Sequence, residues 1–324
     1  MVKTIFINTT KILIAAGLIY WLITSGKLDF KLLARLQEYP LSVFMAACLM
    51  ILNIMLVSLR WRKILRARST SYLPFMGVVR INWIGQFFSS VLPGSVSGDL
   101  IKMLYVQKFD KSFSKTFIFA SILIDRVMGL CGLILLVGLS SIIFGRSISA
   151  NAPALIPILK FNYLLTALVV IGFAGFFFLN EPLRKIIVKL KSIALPGLFD
   201  KFLNLWDDLV SIKSRMIKAV GLSLLIQFIG VLSFWALIYP FVGEHMTFVQ
   251  SLAFIPIGNM TLALPVAPSG LGVGHAIFQK LFELSGIDNG ASLFNLYFIV
   301  GLVINVLGVI PYLITKTHKE EISA

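Results

Sequence analysis

Leu92-Pro93-Gly94-Ser95-Val96-Ser97-Gly98-Asp99-Leu100-Ile101-Lys102 sits inside a thoroughly apolar region and interrupts it. Pro93 removes a backbone donor, Gly94 and Gly98 permit positive φ, and Ser95 and Ser97 can bond locally to backbone, so helix should stop on either side. In lipid, peptide groups freed in this way are tolerated only when buried in protein or lining a wet cavity. The break has a second copy. Leu264-Pro265, three residues, then Ser269-Gly270 repeats Leu92-Pro93, three residues, Ser97-Gly98. Two interrupted apolar segments at corresponding places in two halves point to a transporter-like binding site near the bilayer midplane.

Outward from these breaks, the composition fixes the class. With 58% hydrophobic and 13% charged residues among 324 and a mean hydropathy of +0.93, the chain reads as an integral membrane protein. The formal charge of +15 does not indicate nucleic acid, because the basic residues sit at the ends of apolar spans, where they act as topology signals and contacts to anionic lipid. Cys48 and Cys131 both fall in apolar runs and read as packing residues, forming no disulfide framework and no metal site. No cofactor is expected.

Charge-free or nearly charge-free stretches of about the 20 residues that a helical span needs predict six full crossings, at residues 5–25, 40–59, 116–145, 161–180, 219–243 and 290–315. The first carries no small-residue cleavage site and is read as an uncleaved span. Residues 72–104 and 246–274 hold the breaks. As a full crossing, 72–104 would put Lys102, Lys108, Lys111 and Lys115 outside; as a hairpin entering and leaving from the cytoplasm it keeps them inside. The second hairpin then enters from the outer side, with Pro256, Pro265 and Pro268 as interruptions. The cluster Arg60-Trp61-Arg62-Lys63 with Arg66 and Arg68 falls on the cytoplasmic side, as do most of the 29 lysines and arginines and both termini.

The expected fold is therefore an all-α polytopic membrane protein, a single domain over 1–324, with two re-entrant hairpins in an inverted repeat. The first half covers 1–145 and the second 155–316, and 181–218 forms a cytoplasmic amphipathic linker. After each break a short helix should begin, at about Asp99 and about Val273, with its amino end deep in the membrane. Unpaired amides and the positive end of the dipole at such a place suit an anionic headgroup, above all a phosphate, and Lys102 would add a point charge. Asp125-Arg126 lies within the 116–145 span. Adjacent residues on a helix do not face each other, so each needs a partner elsewhere. The pair is either a structural ion pair near the interface or the polar wall of the cavity opposite Asp99 and Lys102.

These residues carry a resemblance. Arg60-Trp61, Leu92-Pro93-Gly94 with Gly98-Asp99 and a basic residue at 102, Ala120-Ser121 with Asp125-Arg126 and Gly129-Leu130, and Leu264-Pro265 with Pro268-x-Gly270-Leu271-Gly272-Val273 resemble the membrane region of lysylphosphatidylglycerol synthases. That family includes stand-alone flippase-like proteins of the UPF0104 group. The resemblance covers nearly the whole chain and implies movement of a phospholipid or lipid-linked anion between leaflets of a bacterial or archaeal plasma membrane. In two-domain members a soluble carboxy-terminal domain transfers the amino acid; so few residues follow the last span here that this activity is not expected. Where the family usually has Gly-Gly-Asp, Arg and Arg-Glu, this chain has Ser97-Gly98-Asp99, Lys102 and Gly274-His275. His275 is either a titrating group in the outer half of the cavity or a hydrogen-bonded structural residue.

Three functions fit this reading. The leading one is a flippase-like transporter of an anionic amphiphile, using Pro93, Gly94, Ser97, Gly98, Asp99, Lys102, Asp125, Arg126, Pro265, Pro268, Ser269, Gly270, Gly272 and His275 to bind its substrate. A non-transporting partner or scaffold of a lipid- or glycan-modifying membrane enzyme is the second. An intramembrane lipid phosphatase is the third; it needs a nucleophile and an acid or base at the break, yet no glutamate lies inside a span and the histidines flank the spans, so a non-enzymatic role is expected.

Overall fold

The computed structural model describes residues 34–69, 72–91, 97–110, 112–151, 153, 156–190, 203, 206, 207, 210, 213–243, 245–262 and 272–320. The expected first crossing, much of the linker, and the centres of both breaks with Pro93, Gly94, Pro265, Pro268, Ser269 and Gly270 lie outside the described residues.

After a short 3-10 turn at Arg35–Glu38 come α1 (Pro40–Leu65), α2 (Phe75–Val91), α3 (Ser97–Phe109), α4 (Lys115–Asn151), α5 (Ile156–Phe178) and α6 (Asn180–Leu190). The second half holds α7 (Lys213–Val242), α8 (Phe248–Leu262), α9 (Val273–Glu283), α10 (Gly290–Val306) and α11 (Val309–Glu320). Five stretches are long and apolar enough to cross a membrane: Pro40–Leu65, Lys115–Arg146, Ile156–Phe178, Ile217–Val242 and Gly290–Ile314. They coincide with the last five expected crossings. The 26 residues of α1 extend about 39 Å at 1.5 Å per residue, ample for a hydrocarbon core of about 30 Å. The chain is an all-α, multi-pass membrane protein.

Both expected hairpins are present. In the first, Gly85 lies beside Lys102 and Ser89 beside Gly98, so one index rises as the other falls and α2 runs antiparallel to α3. In the second, Gly258 meets Phe278 and Leu262 meets Gly274, which sets α8 antiparallel to α9. The helices stop and restart close to the expected places, at Val91 and Ser97 and at Leu262 and Val273. Gly272 has a φ of 77°, the left-handed conformation that only glycine adopts at no steric cost.

Helices α1 and α7 form the closest pairing between the halves. Ser233 Oγ donates to the Ala46 carbonyl at 3.4 Å, Asn53 Nδ2 to the Ile226 carbonyl at 2.8 Å, and Arg60 Nη1 to Ser223 Oγ at 3.0 Å. These contacts make α1 and α7 antiparallel. Each is followed by a broken hairpin and then a long span, so the halves run in opposite directions through the membrane. They also grip each other reciprocally, α8 packing on α4 and α2 on α10. Trp83 Nε1 on α2 donates to the Ile304 carbonyl on α10 at 2.8 Å.

In lipid there is no hydrophobic gain from pressing helices together, so close van der Waals contact, small residues and interhelical hydrogen bonds carry the packing. The second half shows this. Phe278 stacks on Phe294 at 4.8 Å and Phe234 lies 4.5 Å from Tyr297. A Cβ on Gly258 would stand 2.4 Å from the Phe278 ring, and one on Gly274 would stand 2.5 Å from Phe294. Outside the spans, Arg184 on α6 holds Asp207 with hydrogen bonds of 2.7 and 3.0 Å, and the Asp207 carboxyl lies below its ordinary pKa chiefly because of that hydrogen bond.

Gly98 corrects the expectation drawn from conformation. It is helical within α3, and its purpose is contact: a Cβ there would fall 2.1 Å from both the Gly85 carbonyl oxygen and Ser89 Oγ. Gly98→Ala should therefore force the hairpin arms apart and destabilise the protein by about 1–3 kcal/mol, the usual range for overpacking. Gly221→Ala, at a position with nothing within 4 Å, should not. Thermal unfolding in detergent checks this, and equal midpoints for the two variants would contradict the assigned role.

Candidate functional site

Two polar features lie among the apolar helices. The first is a charged cluster. Arg60 on α1 grips Asp125 on α4 with both ends of its guanidinium, Nε to Oδ1 at 2.7 Å and Nη2 to Oδ2 at 3.1 Å, while its third nitrogen reaches Ser223 on α7. Bidentate pairing of this kind is the strong form of the arginine–carboxylate contact. Gly129, one turn beyond Asp125, lies beside the guanidinium, and a Cβ there would make ordinary van der Waals contact with Nη2 at 3.5 Å. The neighbouring Arg126 points the other way and donates from Nε to Asp99 Oδ2 at 2.8 Å. Lys102 Nζ lies 3.5 Å from the other oxygen of Asp99 and 5.8 Å from the Trp61 ring centroid. Trp61 Nε1 is held by Ser121 Oγ at 3.1 Å.

Asp99, Lys102, Asp125 and Arg126 thus converge as the sequence suggested, joined by Trp61 and Ile122 around a cavity of about 190 Å³. Asp125 and Arg126 do take separate partners. The sequence reading placed Arg60 and Trp61 in a cytoplasmic basic cluster, and the structure shows both to be buried. Helix α1 continues to Leu65, and Arg60 and Trp61 are only 4% and 2% exposed. The signal that could have found Arg60 is Asp125 itself, since a carboxylate within a span needs a cation. Among the described residues the cluster holds three cations and two carboxylates.

The second feature is larger and neutral. A cavity of about 380 Å³ lies between the halves, lined from α1, α2, α7, α8 and α10. Its polar lining consists of amides and hydroxyls, chiefly Asn53, Gln86, Ser90, Asn259, Tyr297 and Asn305. Asn305 Nδ2 donates to Ser90 Oγ at 3.2 Å, tying the first hairpin to α10. Gln86 and Ser90, near the end of α2, and Asn259, near the end of α8, bring one helix end from each hairpin to this space. None of the ionisable residues singled out from sequence lines it. Asn53, in its wall, is seven residues before Arg60, about 10 Å along the helix.

His275 does not reach either cavity. It is 1% exposed, its Nε2 is 3.2 Å from Asn295 Oδ1, and Phe294, a wall residue of the central cavity, packs edge-on against its ring at 5.0 Å. Its buried Nδ1 has no hydrogen-bond partner among the described residues.

The cluster predicts a non-additive pattern. Arg60→Met leaves Asp125 uncompensated in the interior and should cost about 3–5 kcal/mol, as should Asp125→Leu, whereas the double variant should recover most of the loss. Unfolding midpoints of the three variants in one detergent test this; simple addition of the two single losses would show that the pair does not couple.

A family model described as the lysylphosphatidylglycerol synthase TM region matches residues 8–310. UPF0104 membrane protein PH1989 of Pyrococcus horikoshii is 20% identical over 303 residues, covering 88% of this chain and 87% of that protein. The matched residues take in both hairpins, the charged cluster and the central cavity, and the chain belongs to the lysylphosphatidylglycerol synthase TM region family.

Proposed function

We propose that the protein carries an anionic phospholipid or a lipid-linked phosphate between the leaflets of a cell membrane, acting as a transporter rather than an enzyme. The observation that carries this reading is the central cavity: it lies between two antiparallel halves, and the end of one helix from each broken hairpin faces it. Two halves of opposite direction can rock about a shared site and so open it to each side in turn. Lys102 and Arg126, two cations on the wall of the smaller cavity, support an anion as cargo, since a phosphate there can share them with Asp99. The family description, the membrane region of a lipid-modifying synthase, agrees with a lipid as the transported species. Placing the basic ends of the spans in the cytoplasm, as the positive-inside bias requires, puts the first hairpin and the charged cluster toward the inner leaflet.

The test is transbilayer movement of labelled phospholipids and polyprenyl phosphates in proteoliposomes. At least one anionic lipid should move faster than in protein-free vesicles. Asp99→Asn, which removes the charge shared by Lys102 and Arg126, should slow that lipid by about tenfold or more, the scale of a lost charged hydrogen bond. Rates equal to protein-free vesicles across the panel would overturn the proposal.

A further inference from the structure

The central cavity has a chemical character that narrows the cargo, on the footing that the protein transports lipid. Its described lining contains no ionised side chain. What the cavity offers is a set of neutral groups that both donate and accept, with four carboxamides among them, Asn53, Gln86, Asn259 and Asn305. Asn53 and Asn305 are partly committed to the Ile226 carbonyl and to Ser90. The side chains of Gln86 and Asn259 make no hydrogen bond to another described residue.

These two amides occupy similar places, one residue apart in the register of the repeat. Gln86 lies six residues before the Leu92-Pro93 break and Asn259 five before Leu264-Pro265, so each half presents one carboxamide from the first arm of its hairpin. A volume of about 380 Å³ is within the range of small-molecule sites and holds a headgroup fragment rather than a whole lipid.

We infer that this cavity binds the neutral, polyhydroxylated part of the cargo's headgroup, a glycerol or a sugar, through the carboxamides of Gln86 and Asn259. Hydroxyl groups match amides in both directions, each donating to an oxygen and accepting from an NH. An ammonium group does not fit: it needs a carboxylate when removed from water, and the described lining supplies none. The site therefore selects hydroxyl headgroups and rejects headgroups that carry a free amine.

Binding tests this without requiring transport. The affinity of the purified full-length protein is measured for four probes in detergent: phosphatidylglycerol, a glycosyl phosphoprenol, phosphatidylethanolamine and lysylphosphatidylglycerol. One or both hydroxyl probes should bind at least about tenfold more tightly than either amine probe, a gap of about 1.4 kcal/mol. A response to phosphatidylglycerol alone identifies glycerol as the fragment, and a response to the glycosyl lipid alone identifies a sugar. Gln86→Leu and Asn259→Leu should each weaken the preferred probe about tenfold. Asn259→Asp should bring amine-bearing probes in, a gain of binding that a misfolded protein cannot show. Amine probes binding the native protein as tightly as hydroxyl probes would overturn the inference, as would amide variants that bind the hydroxyl probe unchanged. Selective binding without flipping in vesicles would sink the transport reading and leave this one standing.

Discussion

A peptide group released from its helix inside a bilayer has no water to bond, and this constraint organises the molecule. Each half breaks an apolar segment where an unbroken helix would be cheapest, so each must shelter the break in protein or against a wet space. The antiparallel contact of α1 with α7 meets the requirement for both halves at once. It brings the helix ends that flank the two breaks to a single cavity lined by amides and hydroxyls. Reciprocal packing of α8 on α4 and α2 on α10 then closes the sides. The rest of the fold follows from holding that arrangement together in a solvent that provides no hydrophobic drive.

What holds it is a short inventory of close approaches and buried polar contacts. Gly98 lets α3 lie against the backbone of α2, and Gly258 and Gly274 admit Phe278 and Phe294. Arg60 links three helices through Asp125 and Ser223, and Asp99 binds the first hairpin to α4 through Arg126. Burying such charges is costly, and an apolar set of equal volume would often be as stable. Their retention near a cavity therefore argues for a role beyond packing. On the function proposed above, the neutral central cavity and the charged cluster divide the chemistry of an amphiphile's headgroup, one matching hydroxyls and the other an anion.

Much of the fold was legible in the sequence because its signals are strong in lipid. Apolar runs of sufficient length marked the spans, and the repeated Leu-Pro, Ser-Gly pattern marked the hairpins. Asp99, Lys102, Asp125 and Arg126 were legible because charge within an apolar segment is conspicuous. Arg60 was not, since it stands among Arg62, Lys63, Arg66 and Arg68 and shares their look, although its guanidinium is buried while theirs belong to the end of the helix and the turn beyond. The cavity amides were missed for the opposite reason. Asn53, Gln86, Asn259 and Asn305 carry no charge and interrupt no span, so nothing in hydropathy separates them from packing residues. The similar distances of Gln86 and Asn259 from their breaks, six and five residues, were the available clue. Gly98 was found for the wrong reason, conformational freedom instead of contact.

The central claim is that the two broken hairpins enter from opposite faces of the membrane. Ser112, just beyond α3, and Asp288, just beyond α9, are both exposed. Single cysteines at these positions, introduced in a background lacking Cys48 and Cys131, can be labelled in sealed vesicles with a membrane-impermeant maleimide. The account predicts that one position labels only from outside and the other only after the vesicles are opened. Labelling of both from the same side would contradict it.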